Sequence, residues 1–110
     1  MAKIDERLAP IHPGEMLEEE FLKPMGISHG ELAGGIGVSE QEIDDFTHGV
    51  RDLTADLAIR LGRFFDLSPD YWLNLQIHYQ KDCLAIAEEQ RAKKGDFDFI
   101  KAFKPRIAML

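Results

Sequence analysis

The sequence predicts an all-α fold of five helices followed by a C-terminal extension, and three observations carry that prediction. Capping residues stand ahead of apolar runs at Ser28, Ser39, Thr54 and Ser68. Apolar residues return at steps of three and four rather than two, which is the helical period. Strand-like alternation is confined to Asp96 to Phe99. A chain of 110 residues matches one domain. Residues 1–92 are assigned to that domain and 93–110 to a tail.

The first helix is expected after His12, with Pro13 preset for an opening position and Glu15, Glu18, Glu19 and Glu20 near its positive end. Leu17 and Phe21 share a face, and Pro24 with Gly26 is expected to stop it. Ser28 followed by Glu31 is a capping-box pattern that opens a short second helix with Leu32, Ala33 and Ile36 inward. Gly37 ends that helix. Ser39 with Glu42 repeats the pattern for a third, in which Ile43 and Phe46 point inward before Gly49 closes it. Thr54 caps a fourth helix with Leu57, Leu61, Phe64 and Phe65 as its core stripe. Ser68 caps a fifth, opened by Pro69 and Asp70, whose Trp72, Leu75, Tyr79, Cys83 and Ile86 keep the helical step to about Ala92. Beyond the Lys93–Lys94–Gly95 hinge, Phe97, Phe99, Ile100 and Phe103 are too apolar for a solvated tail, so the tail is expected to pack as a strand, an added helix or a dimer contact.

The second and third helices form a helix-turn-helix unit from about Ser28 to Gly49. Ala33 is small enough to let the two helices approach, Gly37 permits a left-handed turn, and Val38, Ile43 and Phe46 seal the pair against the core. On spacing alone such a unit serves either nucleic-acid binding or structure only. Gly34 and Gly35 inside the second helix each cost about 0.5–1 kcal/mol relative to Ala, which points to close approach of a backbone. The neighbouring helix is favoured over a phosphate as what approaches.

Composition excludes several classes of function. No apolar run nears the ~18 residues of a membrane span, and Met1 to Glu6 lacks the apolar stretch of a secretory signal, so a cytoplasmic protein is expected. Cys83 is the sole cysteine and reads as a small apolar residue on a helix face. His12, His29, His48 and His78 never lie four residues from one another or with Cys83 at i, i+4, so neither a metal nor another cofactor is expected. An ion pair between His78 and Asp82 is expected instead. No nucleophile is paired with a base and no glycine-rich loop follows a strand, so an enzyme is not expected. The net charge of −7 is uneven: residues 1–50 hold 3 Lys/Arg against 11 Asp/Glu, and residues 51–110 hold 10 against 9. Such acidity opposes nonspecific attraction to nucleic acid.

From Pro10 to Tyr79 the chain resembles the HigA-type antitoxins of bacterial type II toxin-antitoxin systems, including virulence-associated protein I, helix-turn-helix proteins of the xenobiotic response element class. The resemblance rests on PIHPGEML (Pro10 to Leu17), ELAGGIGVSEQEIDDF (Glu31 to Phe46), LTADLAIRLGRFF (Leu53 to Phe65) and SPDYWLNLQ (Ser68 to Gln76). It implies a five-helix lambda-repressor-like domain, a homodimer, binding of operator DNA through the third helix, repression of its own operon and neutralisation of a ribonuclease toxin. Trp72, Leu73 and Leu75 match the family's packing motif, with core or dimer contacts. In helix-turn-helix units the second of the two helices enters the major groove while the first crosses the phosphate backbone. DNA contacts are therefore expected from Ser28, His29, Ser39, Glu40, Gln41, Asp44, Thr47, His48 and Arg51.

The outward positions of the third helix depart from the family, which usually places Arg, Thr or Ser there. Glu40, Asp44 and Asp45 are acidic, and no Lys or Arg occurs from Ser28 to Val50. A carboxylate about 7 Å from a phosphate across water costs roughly 0.6 kcal/mol before screening, so three per subunit cost about 2 kcal/mol. Arg51, in the loop that follows, and Arg7, in the leader, are the cations placed to offset this. Gln41 can pair with adenine, and Glu40 or Asp44 can accept from cytosine N4. The alternative is a protein-interaction module of the same fold whose acidic third helix binds DNA weakly or not at all.

Overall fold

The computed structural model describes residues 9–101 and 103, and the described residues are helical without a strand. Helix α1 spans residues 13–25, in three consecutive stretches: Pro13–Met16, a π-helical turn over Leu17–Leu22, and Lys23–Met25. Then follow α2 (His29–Ile36), α3 (Glu40–Thr47), α4 (Ala55–Phe65) and α5 (Pro69–Lys93). Each expected cap is present. Ser28 and Glu31 form the complete reciprocal capping box, and the Oγ of Ser39, the Oγ1 of Thr54 and the Oγ of Ser68 accept from Glu42, Leu57 and Asp70 amides.

Helix α1 ends where Pro24 with Gly26 is expected to end it, and Pro24 itself lies inside the last turn. A proline ring collides with the carbonyl four residues earlier and supplies no N–H. Here a π turn precedes it, with the Lys23 N–H donating to the Glu18 carbonyl. The wider turn brings Leu17 and Leu22, five residues apart, to the same buried face. Gly26, in the left-handed region at φ 68°, ends the helix.

The core joins all five helices: Leu17 and Leu22 of α1, Leu32, Ala33 and Ile36 of α2, Ile43 and Phe46 of α3, Leu57, Ala58 and Leu61 of α4, and Trp72 of α5. Helices α4 and α5 pack together most extensively, α2 lies on α3 and α4, and α1 lies on α3 and α5. Gly37, at φ 77°, makes the turn between α2 and α3 with its N–H bonded to the Ala33 carbonyl. Trp72 is fully buried among Phe21, Phe65 and Tyr71.

Three expectations are corrected. Phe64 is not part of the α4 core stripe: it is 40% exposed and lies over Gly35, where an added Cβ would sit 2.7 Å from its Cε1. The buried face of α4 is Leu57, Ala58, Leu61 and Gly62. His78 and Asp82 form no ion pair, the i, i+4 pairs among the described residues being Lys23–Glu19, Arg60–Asp56 and Lys93–Glu89. Among the described residues after Gly95, turns replace the expected strand or added helix, and Phe99 is 79% exposed and Phe103 85%, which leaves the dimer contact as the reading of the tail that stands. Half-buried Cys83 does lie on the α5 face, as expected. Arg7 lies outside the described residues. Among them, no helix is long and apolar enough to cross a membrane.

Candidate nucleic-acid interface

Helix α3 is seated by its apolar residues and presents its polar ones. Ile43 and Phe46 are fully buried, which turns Glu40, Gln41 and His48 to solvent and leaves Asp44, Asp45 and Thr47 partly covered. The seat is unusually close because Gly14 of α1 has no side chain. A Cβ there would meet the Phe46 carbonyl oxygen at 1.7 Å and the Thr47 Cα at 2.9 Å.

His12 secures the same seam. Its Nδ1 accepts the Gly14 N–H at 2.9 Å and so caps α1, and its ring meets Phe46 and Tyr79 edge-on with centroids 5.4 and 4.9 Å away. A nitrogen that accepts is unprotonated, so the proton sits on Nε2, 3.6 Å from Asp52 Oδ1. Burial holds the pKa of His12 below its ordinary value, against the pull of Asp52.

The carboxylates of α3 are not the row of unpaired charges that a count of residues implies. Asp44 Oδ1 lies 2.5 Å from His29 Nδ1, and the other ring nitrogen, Nε2, lies 2.5 Å from Glu18 Oε1. Both carboxylates only accept, so both ring nitrogens donate and His29 is an imidazolium. Burial works against that charge, yet the hydrogen bonds and charges of Asp44 and Glu18 outweigh it and raise the pKa of His29. Asp45 accepts from Gln41 Nε2 at 2.7 Å and lies 3.6 Å from the Arg51 guanidinium. Glu40 alone of the three outward acids has no ion-pair partner among the described residues. One imidazolium charge is shared between Glu18 and Asp44, and Arg51 can offset either Asp45 or a phosphate, so the penalty of about 2 kcal/mol per subunit is reduced without being removed.

The remaining expected contact residues fall into place around this helix. The hydroxyls of Ser28 and Ser39 are engaged as caps at the N-termini of α2 and α3. Thr47 Oγ1 donates to the Asp44 carbonyl, and the His48 ring hydrogen-bonds that same oxygen from the last turn. His29 and Asp44 are joined to each other, so their side chains serve the frame before any ligand. Arg51, 46% exposed at its side chain, stands just beyond α3.

Residues without a local signal complete the support. Gln76 Oε1 of α5 accepts the Leu53 N–H at 3.0 Å, holding the loop between α3 and α4. Arg60 donates to the Ile36 carbonyl at 2.6 Å, closing the C-terminus of α2. Neither pairing could be read from helical spacing, since the partners stand 23 and 24 residues apart. The two odd glycines separate. Gly35 accommodates Phe64, as the neighbouring-helix reading expects, whereas a Cβ at Gly34 would meet nothing within 4 Å. Gly34→Ala is expected to stabilise the fold by about 0.5–1 kcal/mol, seen as a melting temperature higher by a few degrees. Loss of operator affinity in that more stable variant would show instead that the bare backbone approaches a phosphate.

Comparison with known proteins agrees with this geometry. Residues 19–72 match the family HTH_3, described as Helix-turn-helix. Virulence-associated protein I of Dichelobacter nodosus is 44% identical over 81 residues, covering 74% of this chain and 72% of that protein. Antitoxin HigA-1 of Vibrio cholerae is 42% identical over 67 residues, 61% of this chain and 63% of its own. The Pseudomonas aeruginosa antitoxin HigA, solved with the higBA promoter, superposes with a TM-score of 0.69 at 41% identity, over 87% of this chain and 100% of that one.

Proposed function

Because the chain belongs to the helix-turn-helix family of HigA antitoxins and virulence-associated protein I, we propose that it is a cytoplasmic DNA-binding antitoxin that represses its own operon and neutralises a ribonuclease toxin. The observation that carries this reading is the match, over its entire length, to a HigA antitoxin solved with promoter DNA. The family is one of DNA-binding regulators rather than an enzyme class, and no catalytic role is assigned to this chain.

In the proposed complex two copies bind as a homodimer, each setting α3 into the major groove. Glu40 and Gln41, in the exposed first turn of α3, face base edges, Gln41 exchanging Asp45 for adenine and Glu40 accepting from cytosine N4. Ser28, His29, Ser39, Thr47, His48 and Arg51 line the phosphate backbone on either side. The pairing of Asp44 with His29 supports DNA binding over the interaction-module alternative, because it lowers the repulsion on which that alternative rests.

Arg51 is the cation placed to neutralise a phosphate. Arg51→Ala is expected to weaken binding uniformly across DNA sequences and to reduce the slope of log affinity against log salt by about 0.9 per subunit. Anisotropy titrations at several salt concentrations read both quantities. An unchanged slope would place Arg51 off the backbone. The toxin assignment is tested by purifying the chain with any small basic protein that the adjacent reading frame encodes and assaying RNA cleavage. Inhibition at stoichiometric antitoxin is expected, and unhindered cleavage would refute it.

A further inference from the structure

We infer that His29 is a positioning residue for operator binding: its imidazolium ties α3 to α1 and cancels the charge of Asp44, so that DNA affinity falls when this ring loses its proton. The inference rests on the DNA-binding reading above.

The geometry is that of a clamp across three helices. His29 stands in the first turn of α2, and its two ring nitrogens reach Glu18 on α1 and Asp44 on α3, each at 2.5 Å. These partners are 11 and 15 residues away in sequence, so the clamp is a product of the fold. The ring is partly covered, with 22% of its side-chain surface exposed, which shelters both contacts from screening. A neutral imidazole has one donor and one acceptor. After deprotonation one nitrogen presents a lone pair to a carboxylate oxygen, and one arm of the clamp must open. If the Asp44 arm opens, α3 loses its tie to the scaffold and regains a negative charge on the face turned to DNA.

Other charged groups surround the ring. From α1, Glu19 and Lys23 stand beside Glu18 and are paired with each other at 2.8 Å. From α3, Thr47 and His48 border the same depression, and His48 bonds the Asp44 carbonyl. On α2 itself the positive end of the helix disfavours a cation, and Glu31 is occupied with the Ser28 amide. The two carboxylates overcome these opposing effects, and the pKa of His29 is raised. His48 stands on the same face, so only the difference between proteins that share His48 isolates His29.

The test is a pH series of anisotropy titrations, using duplexes of the DNA directly upstream of the chain's own reading frame, on wild type, His29→Gln and Glu18→Gln. Imidazole nitrogen NMR on the same proteins reads the midpoint of His29 without DNA. For wild type, affinity is expected to fall about threefold per subunit, so close to tenfold for the proposed dimer, as pH rises through a midpoint above 6.5, the per-subunit factor being that for one charge about 7 Å from a phosphate in water. In His29→Gln that step disappears. In Glu18→Gln the amide oxygen can still accept from Nε2 but carries no charge, and the step and the NMR midpoint move together to lower pH. A purely structural role would lower affinity at every pH without moving a midpoint. Parallel profiles for wild type and His29→Gln, or an unmoved midpoint in Glu18→Gln, would overturn the inference while leaving DNA binding intact. Wild type that binds no duplex at any pH would overturn the DNA-binding reading and this inference with it.

Discussion

Gly14→Ala is expected to lower stability by about 3 kcal/mol or more, a large share of what a small domain has. The added Cβ would stand 1.7 Å from the Phe46 carbonyl oxygen and 2.5 Å from its carbon. These are backbone atoms of α3, so no side-chain rotation relieves the clash. The helices must separate by on the order of 1.5 Å to reach contact distance. That movement also draws His12 away from the Gly14 amide it caps and from the edge of Phe46. Thermal unfolding followed by circular dichroism is expected to show a melting temperature more than about 12 °C below wild type. A variant that melts within a few degrees of wild type would show that α1 and α3 are not in contact at this point.

Phe46→Ala is expected to cost about 3–5 kcal/mol, the usual range for deleting a fully buried aromatic side chain. The cavity would open beneath the last turn of α3, between His12 and the core leucines. Since Asp44, Thr47 and His48 hang on that turn, operator affinity is expected to fall along with stability. Denaturant titration reads the first effect and anisotropy below the unfolding range reads the second. A loss of stability with full operator affinity would mean that α3 keeps its position without its anchor.

The parts of the fold legible in the sequence are those fixed by near neighbours. Ser28, Ser39, Thr54 and Ser68 cap their helices through hydrogen bonds spanning two or three residues, and such bonds leave a local pattern. Gly37 is legible for the same reason. Pro24 with Gly26 is legible as the end of α1, whereas the π turn ahead of them, which puts Leu17 and Leu22 on one buried face, leaves no local pattern. Phe64 misleads because the helical period alone cannot distinguish the core from the groove that Gly35 leaves open.

The candidate site follows the same division. The exposure of Glu40, Gln41 and His48 follows from the apolar spacing of Ile43 and Phe46. The electrostatics of the face do not, since Asp44 is paired with a histidine from another helix and Asp45 with an arginine beyond the turn. Gly14 lies within the PIHPGEML motif, but its close approach to α3 belongs to the fold alone.

The measurement that bears most directly on the central claim is an anisotropy titration of the full chain against the duplex upstream of its own reading frame, beside a shuffled duplex of equal composition, at several salt concentrations. Saturable binding is expected, tighter for the upstream duplex by at least a thousandfold, the lower end for specific recognition. The salt slope is expected to be shallow for a DNA-binding protein, because α3 carries no cation and, among the described residues, Arg51 is the one arginine at its C-terminal end. Equal affinity for the two duplexes, or no binding at the lowest salt, would contradict the assignment of α3 as a reader of DNA.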